Sequence, residues 1–189
     1  MAVVNSMNIT RTKLEGCIII EPKVFGDERG YFLESYHKER YEQVAGIREQ
    51  FVQDNRSRSR KGVLRGLHFQ KTKPQGKLVT VTSGKVFDVA VDLRPESSTF
   101  GQYESVVLTE ENHLQFYIPP GFAHGFLVLS DIAEFQYKCT SYYDPTDESG
   151  IMWNDPDIAI DWPTRTPILS EKDREQPTFN DFLHTQGIF

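Results

Sequence analysis

Two cysteines, Cys17 and Cys139, are all that the chain carries, and neither sits in a CxxC or zinc-like spacing. A reduced, metal-free state is the simplest account of them. No apolar run approaches the roughly eighteen residues of a membrane span, and the mean hydropathy is -0.48. The first thirteen positions lack a basic-then-apolar signal pattern, so a cytoplasmic protein with no membrane partner is expected. A net charge of -6 argues against general nucleic-acid binding. There is no G-x-S-x-G, which removes a serine hydrolase of that type. His-x-His is missing too: His68 precedes Phe69-Gln70 and His124 precedes Gly125-Phe126, so a metal site of the kind found on small β-barrels is not expected. Helical patterning is scarce as well, confined to His37–Ala45, with Gly46 as its stop, and to a short C-terminal stretch.

What the chain does contain is many short strands punctuated by Gly and Pro. At 189 residues it has enough for one domain with a sizeable core. That domain is expected over residues 7–189, behind a polar leader at 1–6 of unassigned role. The pattern points to an antiparallel sandwich or barrel. In Gly84–Arg94, Phe87, Val89, Val91 and Leu93 alternate with Asp88, Ala90 and Asp92, so one side reads as core and the other as water or a polar cavity. Phe32, Glu34 and Tyr36 are expected on one strand face, with a solvent-facing edge strand as the plain alternative. Phe51–Asn55 reads as a strand offering the amides of Gln53 and Asn55, although Asp54-Asn55 is also a turn opener. Ala133–Tyr143 is expected to set Phe135, Tyr137, Cys139 and Tyr143 on one face. Glu148 falls in a turn-rich loop after Pro145, and a polar tail follows the capping box Ser170-x-x-Asp173.

The chemistry concentrates in Gly62-Val-Leu-Arg65-Gly-Leu-His68-Phe-Gln70 and Gln75-Gly-Lys77-Leu-Val, which read as neighbouring strands. An oriented His68, with an unperturbed pKa of about 6.5, suits a general base. Lys77 is placed to steady the charge of an enolate. Tyr137 is a reasonable acid to return a proton to it, an ordinary core tyrosine being the alternative. Arg65 has the wrong parity to share a face with His68 unless Gly62 or Gly66 allows a bulge. Arg56, Arg58, Arg60, Lys61 and Arg65 form a basic cluster that suits a small anion or, equally, a solvated basic edge strand.

Together, Phe25-Gly-Asp-Glu-Arg29-Gly-Tyr-Phe32-Leu-Glu34, Gln53-Asp-Asn55, Arg65-Gly-Leu-His68, Gln75-Gly-Lys77, Pro119-Pro-Gly-Phe-Ala-His124-Gly-Phe, Tyr137-Lys-Cys-Thr-Ser-Tyr-Tyr143 and Ser170-Glu-Lys-Asp173 resemble the dTDP-4-dehydrorhamnose 3,5-epimerase family. The resemblance implies a cupin-type antiparallel jelly roll with a few short helices, forming homodimers and using no cofactor or metal. It implies a substrate that is a dTDP-linked 4-keto-6-deoxy sugar, inverted at C3 and C5 to give the L-rhamnose precursor. On motif position His68 is similar to the family's proton acceptor, Tyr137 to its donor and Lys77 to the lysine beside the C4 carbonyl. Asp173 matches the acid that orients the base, and it is equally a helix cap. Arg29, Phe32, Glu34, Gln53, Asp54, Asn55, Arg65, Lys77, His124, Glu148 and Lys172 fall at substrate contacts, and Tyr143 where an aromatic stacks on thymine. The alternatives are a single-centre epimerase acting at C3 or C5, a ketoisomerase of similar fold, and a non-catalytic nucleotide-sugar-binding protein.

Overall fold

The computed structural model describes residues 7–185. The leader expected at 1–6 and the end of the expected domain, 186–189, lie outside the described residues. Two antiparallel sheets face each other. The first holds, in spatial order, β1 (Met7–Arg11), β2 (Ile18–Pro22), β10 (Gln115–Ile118), β7 (Lys77–Ser83), β12 (Ile132–Cys139) and β5 (Gln53–Arg60). The second holds β13 (Glu148–Gly150), β6 (Leu64–Gln70), β11 (Phe122–Val128), β8 (Lys85–Asp92) and β9 (Tyr103–Thr109). A hairpin of β3 (Val24–Asp27) and β4 (Gly30–Leu33) stands apart as its own two-stranded sheet. This is the antiparallel sandwich that the turn-punctuated short strands imply and the jelly roll that the family resemblance implies, with α1 (Lys38–Arg40), α2 (Glu171–Arg174) and α3 (Phe179–Thr185) as its only α-helices among the described residues.

The space between the sheets is filled by Val79, Val81, Phe116 and Phe135 from one side and Val86, Ala90, Leu108 and Phe126 from the other. Each such side chain contributes roughly 1.5–3 kcal/mol by leaving water, so this layer fixes how the sheets face one another. The outer face of the second sheet is covered as well. Leu64, Leu67, Val89, Val91 and Leu127 pack under Ile151, Ile158, Trp162, Phe179, Phe182 and Leu183. Two expectations are corrected here. The other side of β8 is not water, because Asp88, Ala90 and Asp92 are fully buried and the strand is covered on both faces. The segment after Asp173 is not simply a polar tail, since α3 buries Phe179, Phe182 and Leu183, the i, i+3, i+4 stripe of an amphipathic helix.

Local departures have local causes. β4 ends at Leu33, and Glu34 instead forms an ion pair with Arg40, so the expected Phe32, Glu34, Tyr36 face does not form. α1 runs into a π-helical turn at Tyr41–Ala45, and Gly46 ends it at φ +75°, the left-handed conformation that glycine adopts without strain. Asp54-Asn55 continues β5 rather than opening a turn. That strand is the edge of its sheet, with Arg56 and Arg58 exposed beside Glu134, as a solvated basic edge strand would have them. β12 stops at Cys139, leaving Tyr143 exposed on the loop beyond it, while Glu148 lies in a short strand rather than a loop. The main topological correction is that β6 and β7 are not neighbours: they belong to different sheets, so His68 and Lys77 approach across the sandwich.

Candidate active site

Directly opposed residues in an antiparallel pair share a face. On β11 and β6, His124 opposes His68 and Phe126 opposes Arg65, so two steps on one strand match three on the other. The extra residue of β6 is a bulge at Gly66-Leu67, and it turns Arg65 to the same side as His68, resolving the parity conflict. Gly66 has φ +130°, and a Cβ there would lie 2.5 Å from the Gly125 Cα and 2.9 Å from the His124 carbonyl oxygen. Only glycine lets the two strands come this close.

His68 Nε2 lies 2.5 Å from Asp173 Oδ1. Asp173 is buried at the third position of α2, where Ser170 caps the helix by accepting the Asp173 N–H at 3.1 Å. Ser170 is thus the cap, and Asp173 joins the two features, its backbone N–H serving the helix end and its carboxylate the imidazole. Burial pushes that carboxyl up, but hydrogen bonds from His68, Ser170 and the Gly66 backbone outweigh it and hold the group ionised, below the usual carboxylate range. With Nε2–H donated to Asp173, Nδ1 is the ring atom left with a lone pair for substrate. Half-exposed His68 can thus meet a ligand while its tautomer is held from behind.

Across the sandwich, Lys77 Nζ is 3.5 Å from His124 Nδ1, and His124 Nε2 is 3.0–3.1 Å from both Asp88 carboxylate oxygens. An ammonium can only donate, so His124 accepts at Nδ1 and donates from Nε2. Burial lowers the pKa of His124 and so favours this neutral form. Burial likewise depresses Lys77 and raises Asp88, while their mutual attraction opposes both shifts. Asp88 was not among the expected site residues: its alternation with apolar residues left water and a polar cavity both open, and the structure makes it the buried anchor of His124.

Lys77 Nζ stands 5.8 Å from the centre of the Tyr137 ring, which places this phenol in the same space. Opposite it on β5 lies Asn55, whose Oδ1 accepts from Gln53 Nε2 at 3.0 Å. Gln53 Oε1 accepts the Tyr143 backbone N–H at 2.9 Å. Glu148 Oε2 accepts from the Tyr143 hydroxyl at 2.6 Å and from the Lys172 ammonium. Burial pushes the Glu148 carboxyl up, and these two donors more than offset it. Arg65 donates from Nε and Nη2 to Ser59 Oγ at 3.1 Å. His68, Lys77, Tyr137, His124, Asp173, Gln53, Asn55, Arg65, Tyr143, Glu148 and Lys172 are thus arranged around one end of the sandwich.

Four predicted residues lie elsewhere in the protomer. Arg29 pairs with Asp27 on the hairpin at 2.5 Å, and Glu34 pairs with Arg40. Asp54 points to the outer side of its sheet and binds Lys138 at 3.0 Å. Phe32 is 68% exposed and borders, with Tyr31, a groove of about 530 Å³ whose floor is the outer face of the first sheet. That groove backs onto the site rather than containing it.

A carboxylate-held imidazole facing a desolvated ammonium, with a phenol beside the ammonium, can remove a proton next to a carbonyl, carry the enolate charge and return a proton. Relatives with known names carry the same assignment. A dTDP-4-dehydrorhamnose 3,5-epimerase of Escherichia coli (strain K12) is 56% identical over 184 residues, which is 96% of this chain and 100% of that protein. The crystal structure of a dTDP-6-deoxy-D-glucose-3,5-epimerase from Legionella pneumophila Philadelphia 1, in complex with dTDP-4-keto-L-rhamnose, is 56% identical with a TM-score of 0.90, covering 92% of this chain and 93% of that one. A dTDP-4-dehydrorhamnose 3-epimerase of Streptomyces niveus is more distant, 41% identical over 89% of this chain and 82% of that protein. The family model described as dTDP-4-dehydrorhamnose 3,5-epimerase matches residues 11–181. By fold, by the arrangement of its inward-facing side chains and by this similarity, the chain belongs to the dTDP-4-dehydrorhamnose 3,5-epimerase family.

Proposed function

We propose that the protein is an isomerase that inverts C3 and C5 of dTDP-4-dehydro-6-deoxy-D-glucose, giving dTDP-4-dehydro-L-rhamnose. The observation that carries the reading is that the Asp173-held His68 and the half-buried Lys77 of the facing sheet both flank His124, His68 opposite it on β6 and Lys77 Nζ 3.5 Å from its Nδ1. Both carbons are α to the C4 ketone, so one enolate-stabilising site serves both inversions in turn. His68 Nδ1 takes the proton from carbon, Lys77 donates to the C4 oxygen as negative charge gathers there, and the Tyr137 hydroxyl delivers a proton to the other face. Arg65 and Lys172 offer cationic donors to the diphosphate, and Tyr143 a ring for the thymine. The reaction runs in the cytoplasm and calls on no nucleic acid or membrane.

The hairpin supports a homodimer. Val24, Phe25, Tyr31 and Phe32 are 39%, 53%, 62% and 68% exposed, a concentration of apolar surface that a lone protomer leaves in water. Arg29 and Phe32, expected at the ligand yet remote from His68, serve the partner subunit's site from this hairpin.

Incubating the protein with dTDP-4-keto-6-deoxyglucose in deuterated water and reading C3 and C5 by NMR tests the function. Exchange at both carbons with formation of the L-configured product is expected, and His68→Ala should abolish it. Exchange at one carbon only would make this a single-centre epimerase like the Streptomyces niveus relative, and binding without exchange would leave a nucleotide-sugar-binding protein.

A further inference from the structure

We propose that Gln53 and Asn55 are positioning residues for Tyr137, an amide relay that ties the proton donor to the segment carrying Tyr143. This rests on the reading of Tyr137 as the donor. It goes beyond a role as ligand contacts, because the hydrogen bonds the two amides make to the protein already fix their orientation. The polarity of the relay can be read from one end. The Tyr143 backbone N–H is a donor only, so the atom it meets at 2.9 Å is the Gln53 oxygen. Gln53 must then present its nitrogen to Asn55, and that nitrogen donates to Asn55 Oδ1 at 3.0 Å. With its oxygen committed, Asn55 turns Nδ2 toward β12, where one hydrogen goes to Cys139 Sγ at 3.6 Å. Tyr137 is the residue directly opposite Asn55 on β12, on the same inward face, and to its hydroxyl oxygen we assign the remaining hydrogen.

A tyrosine that gives up its proton becomes a phenolate in a site short of water. Burial pushes the Tyr137 phenol upward, and hydrogen bonding from Asn55 works against that shift. Lys77, 5.8 Å from the ring centre, supplies charge from the other side. An N–H aimed at the oxygen where charge develops stabilises the transition state without reorganising. Its aim is set by Gln53, and the aim of Gln53 by the main chain at Tyr143. Through this connection the position of the loop after β12 reaches the proton donor.

The experiment uses protein labelled at tyrosine Cζ with carbon-13, the Tyr137 signal being assigned with Tyr137→Phe, and follows its titration alongside the deuterium-exchange assay. Asn55→Asp keeps the size and the acceptor for Gln53 but removes the donor to the phenol. It should raise the Tyr137 pKa by about one unit, roughly tenfold in acidity. Product formation should fall by about the same factor or more through kcat rather than KM, with an unchanged melting temperature reporting an intact fold. Gln53→Glu, which cannot donate to Asn55 Oδ1 when ionised, should shift both readouts the same way by less. An unmoved Tyr137 titration, or a change confined to KM, would overturn the relay. A Tyr137→Phe protein that inverts its substrate at full rate would instead overturn the donor reading beneath it.

Discussion

At the scale of single residues, the site works by withholding water selectively. His68 is half-buried and is steered from behind by a buried carboxylate, and half-buried Lys77 loses enough hydration to be pushed down in pKa. The sign of its pH dependence follows. In the proposed mechanism Lys77 must be protonated to donate to the C4 oxygen, and burial has moved its pKa below the ordinary lysine value of 10.5. Activity should therefore be complete on the neutral side and fall as pH rises through that depressed value. The Tyr137 phenol is displaced upward by burial, so its own loss lies further into alkali. A kcat profile whose alkaline limb vanishes in Lys77→Gln, with kcat lowered about a hundredfold, would identify the lysine. A limb that survives in that variant would assign it to another group.

At the scale of elements, the β6 bulge is what makes one surface of Arg65 and His68. Gly66→Ala adds a Cβ 2.5 Å from backbone that has no side chain to swing aside, at a φ of +130°. The expected cost is about 2 kcal/mol or more in stability, together with loss of most activity as β6 shifts against β11. Gly30→Ala, at the same φ with nothing within 4 Å of the new carbon, is the control, and its melting temperature should fall less. Much of this was legible beforehand. The parity clash between Arg65 and His68 announced the bulge, and the capping box announced α2. Other features were hidden for physical reasons. Chain proximity made β6 and β7 look paired, but the connection between them crosses from one sheet to the other. Strand alternation cannot distinguish water from a covered polar cavity, so the side of Asp88 and Asp92 stayed open between the two. The three apolar residues of α3 are too few to stand out until a sheet is seen beneath them.

At the scale of the whole molecule, the protomer holds the base, enolate cradle and donor proposed above, while Arg29 and Phe32 sit on the separate β3–β4 hairpin. If that hairpin serves the partner's site, mixing two inactive proteins restores activity. One would carry His68→Ala and the other Arg29→Ala with Phe32→Ala. In the hybrid, the second chain's intact His68 meets the first chain's intact hairpin, so up to one of the two sites should turn over after subunit exchange. No recovery, with light scattering confirming that hybrids form, would return the hairpin to its own subunit. The bond between His68 and Asp173 also spans the chain, since its ends lie 105 residues apart. A chain that stops short of α2 therefore lacks the carboxylate that fixes the imidazole of His68, whatever else of it is present.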